Sequence, residues 1–298
     1  MAFDPMRPSE LRRVLDAHGI RPDRRLGQHF LIDRNTRDRI LRLAGIEPGD
    51  GVLEVGPGAG ALTAALARSG AGAVTAVEVD RRLEPVLREL VGGEAHVRLV
   101  FDDALAVDWR DLCPPVRPWR FVANVPYQIT APLLVRVFGH RPPFRRMVVM
   151  VQKEVADRLR ARPGTPDYGA LTLLAAFYAR VRETFSVSPS CFWPRPAVTS
   201  AVVAMEPADH AEPPPPPEVF FPVVRAAFGR RRKTLRNALV EDPHLGLDRE
   251  QVEAALAAAG LDPNRRGETL SLDEFVRLAR AAAAAVSPAA PDAPGRGV

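Results

Sequence analysis

The stretch LEVGPGAGALT, residues 53–63, decides the fold. It joins a short apolar run, GVLEV at 51–55, to a turn built on Gly56, Gly58 and Gly60, and then to a helical pattern at 62–70. Glycine at a strand-to-helix turn lets the chain bend tightly and lets a ligand approach the backbone. On either side the same alternation continues. β-rich runs occur at 73–79, 97–101, 120–125 and 146–151, and helical patterns at 83–90 and 131–138. Strands alternating with helices imply parallel pairing, so the expected fold is α/β, a doubly wound Rossmann-like sheet.

The chain has 298 residues, enough for about two domains. The sharpest composition break is PADHAEPPPPP at 207–217, where consecutive prolines favour an extended spacer. After it only helical patterns appear. Asp248 with Gln251 reads as a helix start, Gly260 as its stop, and Ser271 with Glu274 as a capping box. The expected organisation is a domain at 1–206, a linker at 207–217, a small all-helical domain at 218–280 and a disordered tail at 281–298. No apolar run approaches the ~20 residues of a membrane helix, and MAFDPMRPSE lacks the apolar core of a secretory signal. Cys113 and Cys191 are too few for a disulfide framework or a cysteine zinc site. These features point to a cytoplasmic protein without a metal, and nothing suggests more than a monomer.

The net charge is +5, and of 41 basic side chains only Lys153 and Lys233 are lysine. Heavy use of Ala, Arg, Pro and Gly accounts for most of that bias, so placement carries more information than composition. Residues 78–111 hold nine acids against five arginines. Basic segments flank them at 1–48, 135–165 and 212–240, the last containing Arg230, Arg231, Arg232, Lys233 and Arg236. Such a layout fits a chain that grips a polyanion beside a pocket for a smaller, partly cationic ligand.

The pocket is legible in part. Glu78 ends the second strand, 22 residues after Gly56, where an acid can accept both hydroxyls of a ribose. Gly56 and Gly58 also fit a dinucleotide loop, which leaves NAD open. Asp103 after the third strand is placed to face an adenine amino group, with Glu54 and Asp102 nearby. That acidity suits the sulfonium of S-adenosylmethionine better than a pyrophosphate.

After the fourth strand come Asn124, Val125, Pro126 and Tyr127. The Asn124 side-chain oxygen and the Val125 carbonyl can each accept one hydrogen of an exocyclic NH2. Pro126 stiffens the turn and offers no competing N–H, and Tyr127 can stack on a base. Together they hold a planar amine and aim its nitrogen, so positioning and electrostatics carry the chemistry.

With these residues the chain resembles the ribosomal RNA adenine N6-dimethyltransferase family, nearest its bacterial small-subunit branch, over about residues 9–280. The marks are Leu26 to Leu31, residues 53–63, Glu78, Asp103-Ala104 and 124–127. Further marks are 151–164, 168–174, Phe192 to Pro196 and 228–239. The resemblance implies that His29, the carbonyl of Leu31, Gly56, Glu78, Asp103 and Asn124 contact S-adenosylmethionine. It implies that residues 124–127 hold the target adenine, with Phe192 as a second aromatic wall. It also implies that Arg230 to Lys233 and Arg236 face rRNA. The implied substrate is an adjacent adenine pair in the 3′-terminal hairpin loop of 16S rRNA within a 30S subunit or its precursor. Such bases must leave their stack to react.

Several positions depart from the family pattern. His29 replaces Asn, Val125 replaces Leu, Gln128 and Thr130 replace Asn and Ser, and Asp102 replaces Gly. A charged His29 beside a sulfonium would weaken cofactor binding on acidification. Three other assignments stand beside this one. They are a 23S rRNA relative conferring macrolide resistance, a noncatalytic RNA-binding assembly factor, and, more distantly, an NAD dehydrogenase.

Overall fold

The computed structural model describes residues 3–140, 144–210, 212–230 and 232–286. It divides into two compact units: Met1–Arg160 with Tyr178–Asp209, and Ala161–Phe177 with His210–Val298.

Among its described residues the first unit holds nine strands: β1 Phe30–Leu31, β2 Gly51–Val55, β3 Ala73–Glu78, β4 Val97–Phe101, β5 Trp119–Asn124, β6 Arg146–Gln152, β7 Ala179–Val187, β8 Phe192–Trp193 and β9 Ser200–Pro207. Seven form one sheet in the order β4-β3-β2-β5-β6-β9-β7, and β1 pairs with β8 in a separate ribbon. Strands β2 to β6 run parallel, while β9 is antiparallel to β6 and β7. All five residues of β2 are buried, as expected of an inner parallel strand covered on both faces. Strand β4, at the edge, is only partly covered. The chain moves from β2 out to β4 and returns to β5 on the other side of β2. The strand order therefore reverses between β2 and β5, and ligands bind at the carboxyl ends of strands beside such a reversal.

Helices are set by local signals. The helix Arg34–Ala44 starts where Asp33 accepts from Thr36 N and stops at Gly45, which is left-handed at φ 54°. The five expected strands lie where the pattern put them, the fourth shifted by one residue to Trp119–Asn124. Strands β1, β7, β8 and β9 were not expected.

The second unit is helical: Ala170–Tyr178 except its last residue, Pro217–Gly229, Leu235–Val240, Arg249–Ala258 and Leu272–Val286. Asp248 and Gln251 form a reciprocal capping box, and so do Ser271 and Glu274. The boundaries differ from expectation at three places. Residues 161–177 belong here, not with the first domain, because their contacts are here. Phe177 packs against Phe220 with tilted rings whose centroids are 4.6 Å apart, Tyr168 Oη donates to Leu270 O at 2.6 Å, and Gly164 N donates to Glu268 O at 2.8 Å. The proline segment is shorter than expected, since Pro207 ends β9 and Pro217 opens a helix, where proline is tolerated. The last helix runs on to Val286 rather than ending at 280, with Ala282 buried; alanine is the best helix former. The rest of the expected tail, 287–298, lies outside the described residues. Among the described residues no helix is long and apolar enough to cross a membrane.

Candidate functional site

The carboxyl ends of β2, β3 and β5 meet at one cleft in the first unit. Gly56 and Gly58 follow β2 with φ 73° and 57°, a region that favours glycine. A side chain at Gly56 would meet Asn124 O at 3.3 Å, so the loop after β2 lies directly against the end of β5.

Glu78 closes β3. Its Oε2 accepts from Gly58 N and its Oε1 from Asp80 N, both at 2.9 Å. The carboxyl is buried, and loss of water raises its pKa above the usual carboxylate range. Asp80 is held by Gln28 Nε2 and by Arg82, each at 2.7 Å. Asp103 stays exposed, with Oδ1 accepting from Leu105 N at 2.8 Å.

Asn124 ends β5. Its Nδ2 donates to the backbone oxygen of His29 at 3.3 Å, which leaves Oδ1 as the acceptor. Val125 N donates to Met150 O at 3.0 Å, and the Val125 side chain is buried. The turn Tyr127–Ile129 follows. It is tied by Thr130 Oγ1, which donates to Pro126 O at 3.3 Å and Tyr127 O at 3.2 Å. The Tyr127 hydroxyl lies 3.0 Å from Ser200 Oγ on β9. His29 Nδ1 donates to Pro194 O at 2.8 Å. The His29 and Tyr127 rings are 6.0 Å apart.

His29, Gly56, Gly58, Glu78, Asp103, Asn124, Val125, Pro126, Tyr127 and Phe192 therefore line one cleft. Phe192 is only 2% exposed and packs into the core, so it is a floor more than a free wall. Leu31 is not among the residues that line this cleft. It is buried on β1 opposite Phe192 and lines a smaller cavity with Glu54, Gly56 and Asn124.

A family model described as ribosomal RNA adenine dimethylase matches residues 20–283. A ribosomal RNA small subunit methyltransferase A from Pelotomaculum thermopropionicum is 47% identical over 283 residues, covering 91% of this chain and 95% of its own. The chain belongs to the ribosomal RNA adenine dimethylase family. Two solved structures agree with that placement. A dimethyladenosine transferase from Plasmodium falciparum is 25% identical with TM-score 0.68, over 83% of this chain and 95% of that one. The 23S rRNA methyltransferase ErmE is 29% identical with TM-score 0.61, over 84% and 98%.

The basic segment of this dimethylase-family chain is less free than its sequence suggests. Lys233 pairs with Glu241 at 2.5 Å, Arg230 lies 3.8 Å from the same carboxylate, and Arg236 lies 3.7 Å from Glu253. Arg232 is exposed and makes no ion pair among the described residues. Arg231, and Arg141 of the other basic segment, lie outside them. Sequence reasoning missed Gln28, Asp80 and Arg82 behind Glu78, and Ser200 behind Tyr127. Asp80, two residues past Glu78, was visible in the sequence as one more acid. Ser200 could not be placed without β9.

Proposed function

We propose that this chain transfers methyl groups from S-adenosylmethionine to N6 of two adjacent adenosines in the 3′-terminal hairpin loop of 16S rRNA, two methyls to each. The observation that carries the reading is the Asn124 amide, whose nitrogen is committed to His29 O so that its oxygen is left for an amine. It stands beside a glycine loop and a buried strand-end carboxylate. The cofactor fits that donor set. Glu78 would accept from ribose hydroxyls, Asp103 from an adenine amino group, and Gly56 and Gly58 leave the backbone open to close approach. The Leu31 carbonyl and His29 would add to these contacts, Leu31 from the smaller cavity that shares Gly56 and Asn124 with the cleft.

When bound, S-adenosylmethionine supplies an electrophilic methyl group. The protein's part is to hold the acceptor. Asn124 Oδ1 and the Val125 carbonyl each take one N6 hydrogen, which aims the nitrogen lone pair. Tyr127 stacks on the flipped base, and Phe192 supports it from below. Proton loss from N6 follows bond formation, so no strong base is required.

The small-subunit substrate is supported by the 47% identical relative, whose name places its own activity on that subunit. A 30S particle or its precursor as partner, a monomeric state and a cytoplasmic location are parts of this proposal. Labelled methyl transfer to undermethylated 30S particles, followed by mapping of the modified bases, tests it. Modification of 23S rRNA instead would assign the chain to the other branch, and rRNA binding without methyl transfer would make it an assembly factor.

A further inference from the structure

Arg136 lies on the helix Thr130–Gly139, which opens with the threonine that ties the Tyr127 turn. Its Nη1 donates to Leu105 O and its Nη2 to Val107 O. The guanidinium carbon lies 5.3 Å from the centre of the Trp109 ring, and Trp109 Nε1 donates to Ala104 O at 2.8 Å. Arg136 Nε is buried with no hydrogen-bond partner among the described residues. An unpaired buried donor is costly, so this placement of the fork needs a reason, and the two carbonyls supply it.

Both carbonyls belong to the loop that follows β4 and carries Asp103. Of residues 102–107 only Ala104 is buried, so the loop has little apolar burial to hold it. Its internal bonds close on Asp103: Ala106 N and Val107 N donate to Asp103 O at 2.9 and 3.0 Å. Trp109 and Arg136 tie this turn to the rest of the unit. Leu105 connects Arg136 to the carboxyl, because its oxygen accepts from Arg136 and its N–H donates to Asp103 Oδ1 at 2.8 Å.

We propose that Arg136 is a positioning residue for the adenine end of the cofactor. By holding the 104–107 turn it fixes where the Asp103 carboxyl stands relative to the adenine amino group. The inference rests on the cofactor reading above. Asp103 lines the cleft and Arg136 is not among the residues that do, so Arg136 acts through Asp103. The planar guanidinium suits the task, since its rigid fork serves two acceptors at once. The helix that begins at the acceptor turn thus also sets the adenine end, which keeps the two substrates in register.

Titration calorimetry on the full chain tests this with two probes. One is S-adenosylhomocysteine; the other is its analogue with an unsubstituted purine, which has no amino group to offer Asp103. Asp103→Ala should weaken S-adenosylhomocysteine by about tenfold, the scale of one hydrogen bond to a charged group. Arg136→Met keeps the apolar stem over Trp109 but not the fork, and should weaken it by a similar factor. The double variant should match Asp103→Ala within about twofold, because residues that act as one are not additive. The purine analogue should bind the wild type and Arg136→Met alike. Arg136→Lys can serve one carbonyl, should fall between wild type and Arg136→Met, and replaces the latter should it fail to fold. Wild-type affinity in the Arg136 variants, a loss that recurs in full on the Asp103→Ala background, or an equal loss for the purine analogue would each overturn the inference and leave the cofactor reading standing. An Asp103→Ala variant with wild-type affinity removes the adenine assignment and this inference together. No binding of S-adenosylhomocysteine to the wild type removes the cofactor reading itself.

Discussion

Asn124 Nδ2 donates to the backbone oxygen of His29 at 3.3 Å, so one hydrogen bond joins the end of β5 to the residue that enters β1. This bond fixes which end of the amide faces an incoming amine. Asn124→Ala removes both the anchor and the acceptor. We expect kcat to fall by about 10²-fold or more, the scale of losing one oriented polar group, while cofactor affinity changes by less than tenfold. Single-turnover methyl transfer alongside calorimetry checks this. A variant with wild-type turnover would remove Asn124 from the chemistry.

Tyr127 is held through its hydroxyl by Ser200 at 3.0 Å. Tyr127→Ala should cost roughly 1–3 kcal/mol of base stacking, read mainly in rRNA affinity and kcat/KM. Tyr127→Phe and Ser200→Ala each break only the hydroxyl pairing, so each should be milder. The double variant should be no worse than the more affected single one. Fully additive losses would show that the two hydroxyls act separately.

The cleft was legible in the sequence because its parts are local. A glycine loop, an acid at a strand end and a four-residue turn each carry their meaning within a few positions. Parallel strands flanked by helices are equally plain. What stayed hidden depends on distant pairing. The hairpin of β7 and β9 has no helix to announce it, so Ser200 was not placed behind Tyr127. Phe177 reads in sequence as part of the first domain, and only its packing against Phe220 assigns it to the second. The pairing of Lys233 with Glu241, eight residues on, changes what a run of basic residues implies.

Arg120 and Asp50 form a buried ion pair at 2.5 Å. Arg120 also donates to Ala44 O at 3.1 Å, and Asp50 accepts from Glu47 N at 2.8 Å. Removing one partner leaves a buried charge uncompensated, which typically costs about 3–5 kcal/mol. Arg120→Met alone should therefore lower the urea midpoint strongly. Adding Asp50→Leu should recover much of that loss. If the double variant is as unstable as the single, the pair does more than neutralise itself.

Arg232 is exposed and makes no ion pair among the described residues, whereas Lys233 is already matched by Glu241. Removing a cation that neutralises one phosphate should reduce the slope of log affinity against log salt by about 1. Arg232→Glu should weaken rRNA binding and flatten that slope, with cofactor affinity intact. Lys233→Ala should do less. Filter binding between about 50 and 200 mM salt, the range over which phosphate neutralisation is most visible, measures both. An unchanged slope in Arg232→Glu would take this residue out of the interface.

Glu54 also predicts how the free protein's stability depends on pH. Its pKa rises from 4.5 to about 8 on folding. The folded state therefore keeps a proton that the unfolded chain releases above its own, lower pKa. The stabilisation is fully present below pH 4.5 and declines as pH rises towards 8, at up to roughly 1.4 kcal/mol per pH unit for one group. Glu78 is shifted in the same direction by burial, so the wild-type curve alone does not isolate Glu54. The comparison with Glu54→Gln does, because glutamine stays neutral throughout. The variant should match the wild type near pH 5 and exceed it by a growing margin towards pH 8, measured as denaturation midpoints without cofactor. A margin that does not change with pH would mean that Glu54 is already ionised in the free protein.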